Sequence, residues 1–406
     1  MPSYKAWELE PAEAEASLFL TEAEASSYER HSPQSNWTLW MLPLLLSLFG
    51  IAIIAFLASG TPSGTASYAV SFKQFQFLGL GWLFMLIVYV TPLSLSRRLS
   101  RYLWLAALLM AWATLIPGVG VKVGGSRRWL NLGFIQFQPL EILTLAVPLY
   151  LADRLDASKK EGFQRFWSPS FLIALLSALP LYLQPNMGGL ILIFAICISM
   201  HVVDSGWKYP LLGGFFLVLF FILMIHMREY RMSRVSAFLD PWEDPLKSGF
   251  QIIQGLVAFS NGGILGMGVG KGLQKMNYLP AAQTDYIFPV IGEEFGLIGT
   301  LAVIFSYIAW TWKSYQIYRR SREPYTSLLI WGMTGSVLFP MFVNLGGVMK
   351  LMPLSGIPLP FLSAGGTSLV FMWVRVGFLL RIGKEFFLRD TSGGLEASPY
   401  GRRQRQ

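Results

Sequence analysis

The residues that could do chemistry gather in a few polar stretches of an apolar chain. Asp285 stands in Thr284-Asp285-Tyr286-Ile287-Phe288, where a polar segment turns into an apolar run. An Asp there serves as a helix N-cap or as a general base at a membrane surface, with cations nearby to bind a charged substrate; the residues alone leave these level. Glu293 and Glu294 follow about two turns later. Adjacent helical positions face different ways, and carboxylates at membrane depth are costly enough to be functional by default, with a buried ion pair as the ordinary alternative. Gly262, Gly263, Gly266, Gly268, Gly270 and Gly272, with Lys271, Gln274 and Lys275, suggest a phosphate cradle of backbone N–H groups and lysine charge. The alternative is close packing of a re-entrant or interfacial helix. Arg127-Arg128-Trp129 offers two guanidiniums for bidentate phosphate binding, or a snorkelling interfacial anchor. Gln184-Pro185-Asn186 is explained by a turn alone. Asn344, Gly346, Gly347, Pro353, Gly356, Pro358, Pro360 and the run Ser363-Ala364-Gly365-Gly366-Thr367-Ser368 break the approach to the last apolar segment. Such backbone survives at membrane depth only where protein buries it or it lines a cavity, and a plain kink is its bland reading.

What must position these groups is a membrane domain. The 406 residues are 53% hydrophobic and only 14% charged, against about 25% charged in soluble domains. That excludes an ordinary soluble enzyme, the 39 glycines and 23 prolines exclude a simple coiled coil, and the apolar content excludes a disordered chain. The single cysteine, Cys197, excludes a disulfide framework and a CxxC metal site. Ten runs approach the roughly 20 apolar residues a membrane helix needs: 38–58, 77–95, 102–118, 138–152, 169–184, 187–204, 209–227, 286–312, 326–349 and 359–382. The fold class is therefore all-α and polytopic, with about ten transmembrane helices and a large extracytoplasmic loop, 228–285, between spans 7 and 8.

Residues 1–37 form a polar, glutamate-rich cytoplasmic tail, 38–384 the membrane domain and 385–406 a basic cytoplasmic tail. No basic n-region precedes a short apolar stretch, so no cleavable signal peptide is expected. With both termini inside, the loops holding Arg97, Arg98 and Arg101, then Arg154, Lys159, Lys160 and Arg165, then Arg319, Arg320 and Arg322 obey the positive-inside rule. The net charge of +9 is first an orientation signal. Lys122, Arg127 and Arg128, and the basic residues of 228–285 that include Arg231, Arg234, Lys271 and Lys275, fall on the wrong side. An anionic ligand at the outer face is the obvious reason for them.

In order and number, these segments resemble the SEDS family, the polytopic cell-wall polymerases typified by FtsW and RodA. The resemblance runs from about 38 to 384. It is densest in Tyr230-Arg231-Met232-Ser233-Arg234, Phe238-Leu239-Asp240-Pro241-Trp242-Glu243-Asp244-Pro245, Ser248-Gly249-Phe250-Gln251, Leu279-Pro280, Thr284-Asp285 and Ile291-Gly292-Glu293-Glu294-Phe295-Gly296. Arg127-Arg128-Trp129, Gln138-Pro139, Glu141 and the run from Pro358 to Ser368 add to it. Gln274-Lys275 and the polar N-terminal tail look more like the FtsW branch than the RodA branch.

The resemblance implies a peptidoglycan glycosyltransferase of the bacterial inner membrane that polymerises lipid II into glycan strands during division or wall growth. Asp285 matches the family's essential carboxylate and would act as general base in an inverting displacement, with undecaprenyl pyrophosphate leaving. Arg127, Arg128, Arg231, Arg234, Gln184, Asn186, Lys271, Lys275, Ser363 and Ser368 are the substrate-binding candidates. Glu141, Glu293, Glu294 and Lys350 are the supporting ones. The resemblance further implies a divalent cation (Mg or Mn) without an organic cofactor, a class B penicillin-binding protein of the FtsI type, and other division or elongation proteins. No nucleic acid is expected.

The chain departs from the family where Asn186 stands for Asp and Gly189 for Thr, and where Thr144 stands for a Lys after Gln138-Pro139-Leu140-Glu141. Ala281, Gln283 and Lys350 replace Glu, His and Gly, and Lys350 is a candidate replacement for the lost cation. A flippase for a lipid-linked precursor and a catalytically weak division scaffold are the rival readings.

Overall fold

The computed structural model describes residues 37–59, 64–123, 126–131, 133, 136–211, 213–214, 218, 229–273 and 279–397. Its helices, in chain order, begin with α1 (Trp37–Ser59), α2 (Gly64–Val90) and α3 (Leu93–Ala113). A three-stranded antiparallel sheet follows: β1 (Gly120–Val123), β2 (Ser126–Asn131) and β3 (Gln136–Phe137), in spatial order β1-β2-β3. Then come α4 (Pro139–Ala157), α5 (Gly162–Leu183, with a π turn at Phe166–Phe171) and α6 (Met187–Ser205). The chain closes with α7 (Glu229–Leu239), α8 (Phe250–Gly262), α9 (Ile287–Arg320), α10 (Pro324–Val348) and α11 (Gly366–Ala397).

Among the described residues seven helices are long and apolar enough to cross a membrane: α1, α2, α5, α6, α9, α10 and α11. The expected third and fifth spans are helical but displaced. α3 begins at Leu93 instead of 102 and carries three arginines at its start, and α5 begins at Gly162 instead of 169. α4 carries four charged residues in 19. The charges explain why neither α3 nor α4 passes on apolar length alone. Most of the expected seventh span, 209–227, lies outside the described residues, as do 1–36 and 398–406. The chain is a multi-pass membrane protein, mostly helical, with a small sheet where helix and loop alone were expected.

Lateral packing follows burial. α4, α6 and α10 pack on one another, and α11 packs along α2. α2 begins earlier than the apolar run predicts because Gln74 faces inward and is buried. Its Nε2 donates to the Ser363 carbonyl at 3.0 Å and its Oε1 accepts from Gly365 N–H at 3.2 Å. At the charged ends of α3 and α4, Arg97 pairs with Asp153 at 2.7 Å and with Asp156 at 2.6 Å.

The segment between α7 and α9 is not a simple surface loop. Gly255 packs against Tyr286, Phe259 against Phe288, and Gly262 against the Gly292 carbonyl. Matching numbers rise together, so α8 descends beside α9 in the same direction. The chain then reverses: Met267 N–H donates to the Glu293 carbonyl at 2.9 Å and Gly268 N–H to that of Glu294 at 3.1 Å. This is a re-entrant hairpin. α9 kinks at Gly296 (φ +66) to receive it, and at Gly266 (φ +84) a Cβ would stand 2.2 Å from the Glu294 carbonyl oxygen. The glycines thus accommodate close packing of backbone on backbone, which is the second of the two readings given for them. The N–H groups of Met267 and Gly268 meet protein carbonyls where a phosphate cradle would leave them open.

Candidate active site

Asp285 lies in the turn that enters α9, and three successive carbonyls of that turn are held from the C-terminal part of the chain. Ala364 N–H donates to Gln283 O at 2.8 Å, Ser363 Oγ to Thr284 O at 2.6 Å, and Asn344 Nδ2 to Asp285 O at 2.8 Å. Asn344 Nδ2 also donates to Ile357 O at 2.8 Å, and Ser363 Oγ accepts from Leu359 N–H at 2.8 Å. The Gly/Pro-broken segment after α10 is therefore a clamp on the Asp285 turn. Within the turn Ala281 adopts φ +55, and its carbonyl accepts from Thr284 N–H at 3.0 Å and Tyr286 N–H at 3.2 Å. The cap position of α9 is Tyr286, without a side-chain cap bond, so the capping role open to Asp285 is not the one it fills.

Two arginines face this carboxylate. Arg234, from α7, donates to Leu354 O at 2.7 Å. Arg128, from β2, donates to Pro185 O at 2.5 Å. Gly356 (φ +74) runs between Asp285 and Arg234: a Cβ there would stand 3.4 Å from Asp285 Oδ2 and 3.9 Å from Arg234 Nη1. Glycine lets the backbone pass this close and take this conformation. Burial pushes the Asp285 carboxyl above the ordinary aspartate range; Arg234, a Thr284 hydrogen bond and Arg128 pull the other way without cancelling it.

Beside this cluster is a polar cavity. Arg128, Gln138, Glu141, Thr144, Asn186, Ser336, Gly356 and Ser368 are among its lining residues. Arg128 and Gly356 join it to the Asp285 cluster. Asn186 sits at the cavity as the N-cap of α6, accepting from Gly189 N–H at 3.1 Å. Thr144 accepts from Arg375 Nη2 at 2.7 Å. The cation beside Glu141 and Thr144 is thus Arg375 of α11, while Lys350 occupies the turn after α10 at φ +56.

The sequence candidates separate accordingly. Asp285, Arg128, Arg234, Asn186, Glu141 and Ser368 come together at the cluster or its cavity. Ser363 serves it from behind, its hydroxyl bonding to backbone at Leu359 and Thr284. Arg128 is the extra residue of a β-bulge, since Val121 pairs with Trp129 and Lys122 with Arg127; of the two arginines Arg128 lines the cavity and Arg127 does not. Gln184 is buried and donates to Ala111 O and Thr114 Oγ1, each at 2.8 Å, tying α5 to α3. Glu293 and Glu294 are buried at the re-entrant hairpin: Asn261 Nδ2 donates to Glu293 Oε1 at 3.1 Å, and a Cβ on Gly272 would meet Glu293 Oε2 at 2.6 Å. That contact places neighbouring Lys271 at a level about 12 Å along α9 from Asp285, at 1.5 Å per residue, away from the two arginines. Lys275 and the Arg231 side chain lie outside the described residues.

Gln74 and Arg375 are not among the sequence candidates, and Asn344 and Gly356 stand there only as part of the broken approach to the last apolar segment. Arg375 carries a signal, a charge in the middle of an apolar run; Gln74 carries none that periodicity reveals. Among the described residues no three His, Cys, Asp or Glu side chains are grouped to hold a metal. Asp285, with guanidiniums as its charged neighbours, does not fit a resident divalent cation.

The chain matches the family model described as cell cycle protein over residues 34–386. It is 35% identical over 361 residues to the probable peptidoglycan glycosyltransferase FtsW of Nitrosococcus halophilus, covering 84% of this chain and 92% of that one. It is 33% identical to the stage V sporulation protein E of Bacillus subtilis over 321 residues, 78% of this chain and 88% of that one. Its fold matches a chain of a peptidoglycan synthase complex that coordinates polymerization and crosslinking, with a TM-score of 0.73 and 27% identity over 87% of this chain and 99% of that one. The order of elements and these likenesses agree: the chain belongs to the cell cycle protein family of FtsW, RodA and SpoVE, the SEDS family its motifs resemble.

Proposed function

We propose that this protein is a peptidoglycan glycosyltransferase that polymerises lipid II in the bacterial inner membrane, with Asp285 as its general base. The observation that carries the reading is the setting of Asp285: its turn is clamped at three carbonyls, its carboxyl is raised by burial, and two guanidiniums face it. A base is most effective when its pKa approaches the working pH, and burial moves Asp285 that way. The acceptor sugar hydroxyl gives its proton to an Asp285 oxygen as the hydroxyl oxygen attacks the anomeric carbon. The bond from that carbon to the pyrophosphate breaks with inversion, and Arg234 and Arg128 stabilise the charge developing on the leaving group. One base and an activated leaving group suffice, whereas a glycosidase needs two carboxylates.

The glycosyltransferase names of the relatives and the synthase complex among the structural neighbours support this reading and a class B penicillin-binding protein as partner. Positive-inside bias supports cytoplasmic termini and an extracytoplasmic site. The test is glycan formation from lipid II by the purified protein, alone and with the coexpressed partner. Polymer from the protein or from the complex supports the reading. Transbilayer movement of lipid II without any polymer would replace it with that of a flippase.

A further inference from the structure

Arg375 is fully buried in the third turn of α11, and its surroundings are specific. Its Nη2 donates to Thr144 Oγ1 at 2.7 Å and to the Glu141 carbonyl at 3.3 Å, and Nη1 lies 3.6 Å from Met372 Sδ. The charge that balances it is the Glu141 carboxylate, with Oε2 4.0 Å from Nη2. A guanidinium stays protonated in proteins, and a buried charge persists only when another charge compensates it. The 4.0 Å separation supplies that compensation without a direct hydrogen bond. Glu141 therefore keeps lone pairs for Ser368, which hydrogen-bonds it from the first turn of α11, and for the cavity that Glu141, Thr144 and Ser368 line. Arg375 is absent from that lining and reaches the cavity only through these partners.

We propose that Arg375 is a positioning residue of the site: it holds the Glu141 side chain as an oriented carboxylate at the cavity wall, where it accepts hydrogen bonds from hydroxyl or amide donors of the bound sugar. The proposal rests on the glycosyltransferase reading, because a lipid-linked sugar is the ligand it assumes. Each element has its part. α4 presents Glu141 beside Gln138 at its start, α11 supplies Ser368 as an aligning donor and Arg375 two turns further on, and Arg128 from β2 puts a cation on the same cavity. A cavity with a carboxylate and a guanidinium on its wall suits a ligand that carries both hydroxyl donors and phosphate oxygens.

The test compares Arg375→Met, Glu141→Gln, the double variant, and Thr144→Lys/Arg375→Met in the full chain with its partner. Position 144 is three residues from Glu141 on one helix, so a lysine there can restore the pair from the α4 side. Two quantities are read, the Kd for fluorescent lipid II and the kinetics of polymerisation. Loss of charge-assisted contacts is expected to weaken binding about ten- to hundredfold in Arg375→Met, mainly through KM, since Asp285 is untouched. Glu141→Gln should match it, the double variant should be no worse than Glu141→Gln, and Thr144→Lys should recover at least about tenfold of the Arg375→Met loss.

Binding by Arg375→Met within about threefold of the unaltered protein would overturn the proposal. So would a further tenfold loss on the Glu141→Gln background, which would mean that Arg375 acts independently. If Arg375→Met does not fold, the relocated-lysine variant decides: folded with binding restored, it supports the proposal; unfolded, or folded without recovery, it overturns it. An unaltered protein that binds lipid II but makes no glycan would defeat the polymerase reading, and the binding series would still judge the Arg375–Glu141 pair.

Discussion

Asn344 Nδ2 donates to the carbonyl of Asp285 at 2.8 Å across 59 residues of sequence, joining the end of α10 to the turn that carries the proposed base. The same amide nitrogen holds Ile357 O at 2.8 Å, so one side chain ties the Asp285 turn to the segment that contains Gly356. Asn344→Ala would leave two carbonyls without this donor. At about 1–3 kcal/mol per unsatisfied buried group, we expect a loss of about 2–6 kcal/mol for the two, read as a lower melting temperature in detergent. Polymerisation should fall at least about tenfold at temperatures where the variant is still folded, because misplacement of a reacting group by about 1 Å costs on the order of a hundredfold.

The pH profile of kcat/KM should rise through a limb set by Asp285. The base works when deprotonated, and burial raises its pKa, so the ascending limb should lie above the usual aspartate value of about 3.9. Arg234 is the largest of the influences that lower it. Arg234→Met should therefore move the limb to still higher pH while the activity plateau falls. A limb that stays in place would show that Arg234 does not sense the titrating group.

Adjacent Arg127 and Arg128 should behave differently. Arg128 lines the cavity and influences Asp285, so Arg128→Ala should raise KM for lipid II about ten- to hundredfold, the worth of a charge-assisted contact. Arg127→Ala should stay within about threefold, since Arg127 neither lines the cavity nor is among the groups that act on Asp285. Equal losses in the two variants would return both to a shared clamp.

Gly266→Ala tests the re-entrant hairpin. Position 266 has φ +84 and a notional Cβ 2.2 Å from the Glu294 carbonyl oxygen. Left-handed backbone alone costs a non-glycine residue about 1–2 kcal/mol, and the overlap adds to it. The variant should lose at least about 2 kcal/mol by detergent melting, and protease should cut between α8 and α9 more readily.

Much of this molecule was legible from the order of its residues because burial in lipid imposes long apolar runs. The expected segments near 38–58, 187–204, 286–312 and 326–349 correspond to α1, α6, α9 and α10. Displaced boundaries arose where polar residues turn inward, as Gln74 does in α2, or where a charged turn continues a helix, as Asp153, Arg154 and Asp156 do in α4. The sheet was hidden because two of its strands have only two and four residues. Asp285 could be singled out by its place at the edge of an apolar run, yet its clamp could not: Asn344, Ser363 and Ala364 reach it across 59 to 81 residues. Thr144 looked like a lost cation because Arg375 supplies the charge from another helix, 231 residues away. Local pattern carries no record of such pairings.

The central claim is that Asp285 takes a proton during glycan formation, and Asp285→Asn tests it most directly. The amide keeps the size of the side chain and can still accept a hydrogen bond, but it cannot take the hydroxyl proton. General-base catalysis contributes about 10²–10⁴-fold. We predict that purified Asp285→Asn folds, binds fluorescent lipid II and associates with its penicillin-binding partner, yet makes glycan at least about a hundredfold more slowly than the unaltered protein. Polymerisation within about threefold of the unaltered rate would remove Asp285 from the chemistry and contradict the account.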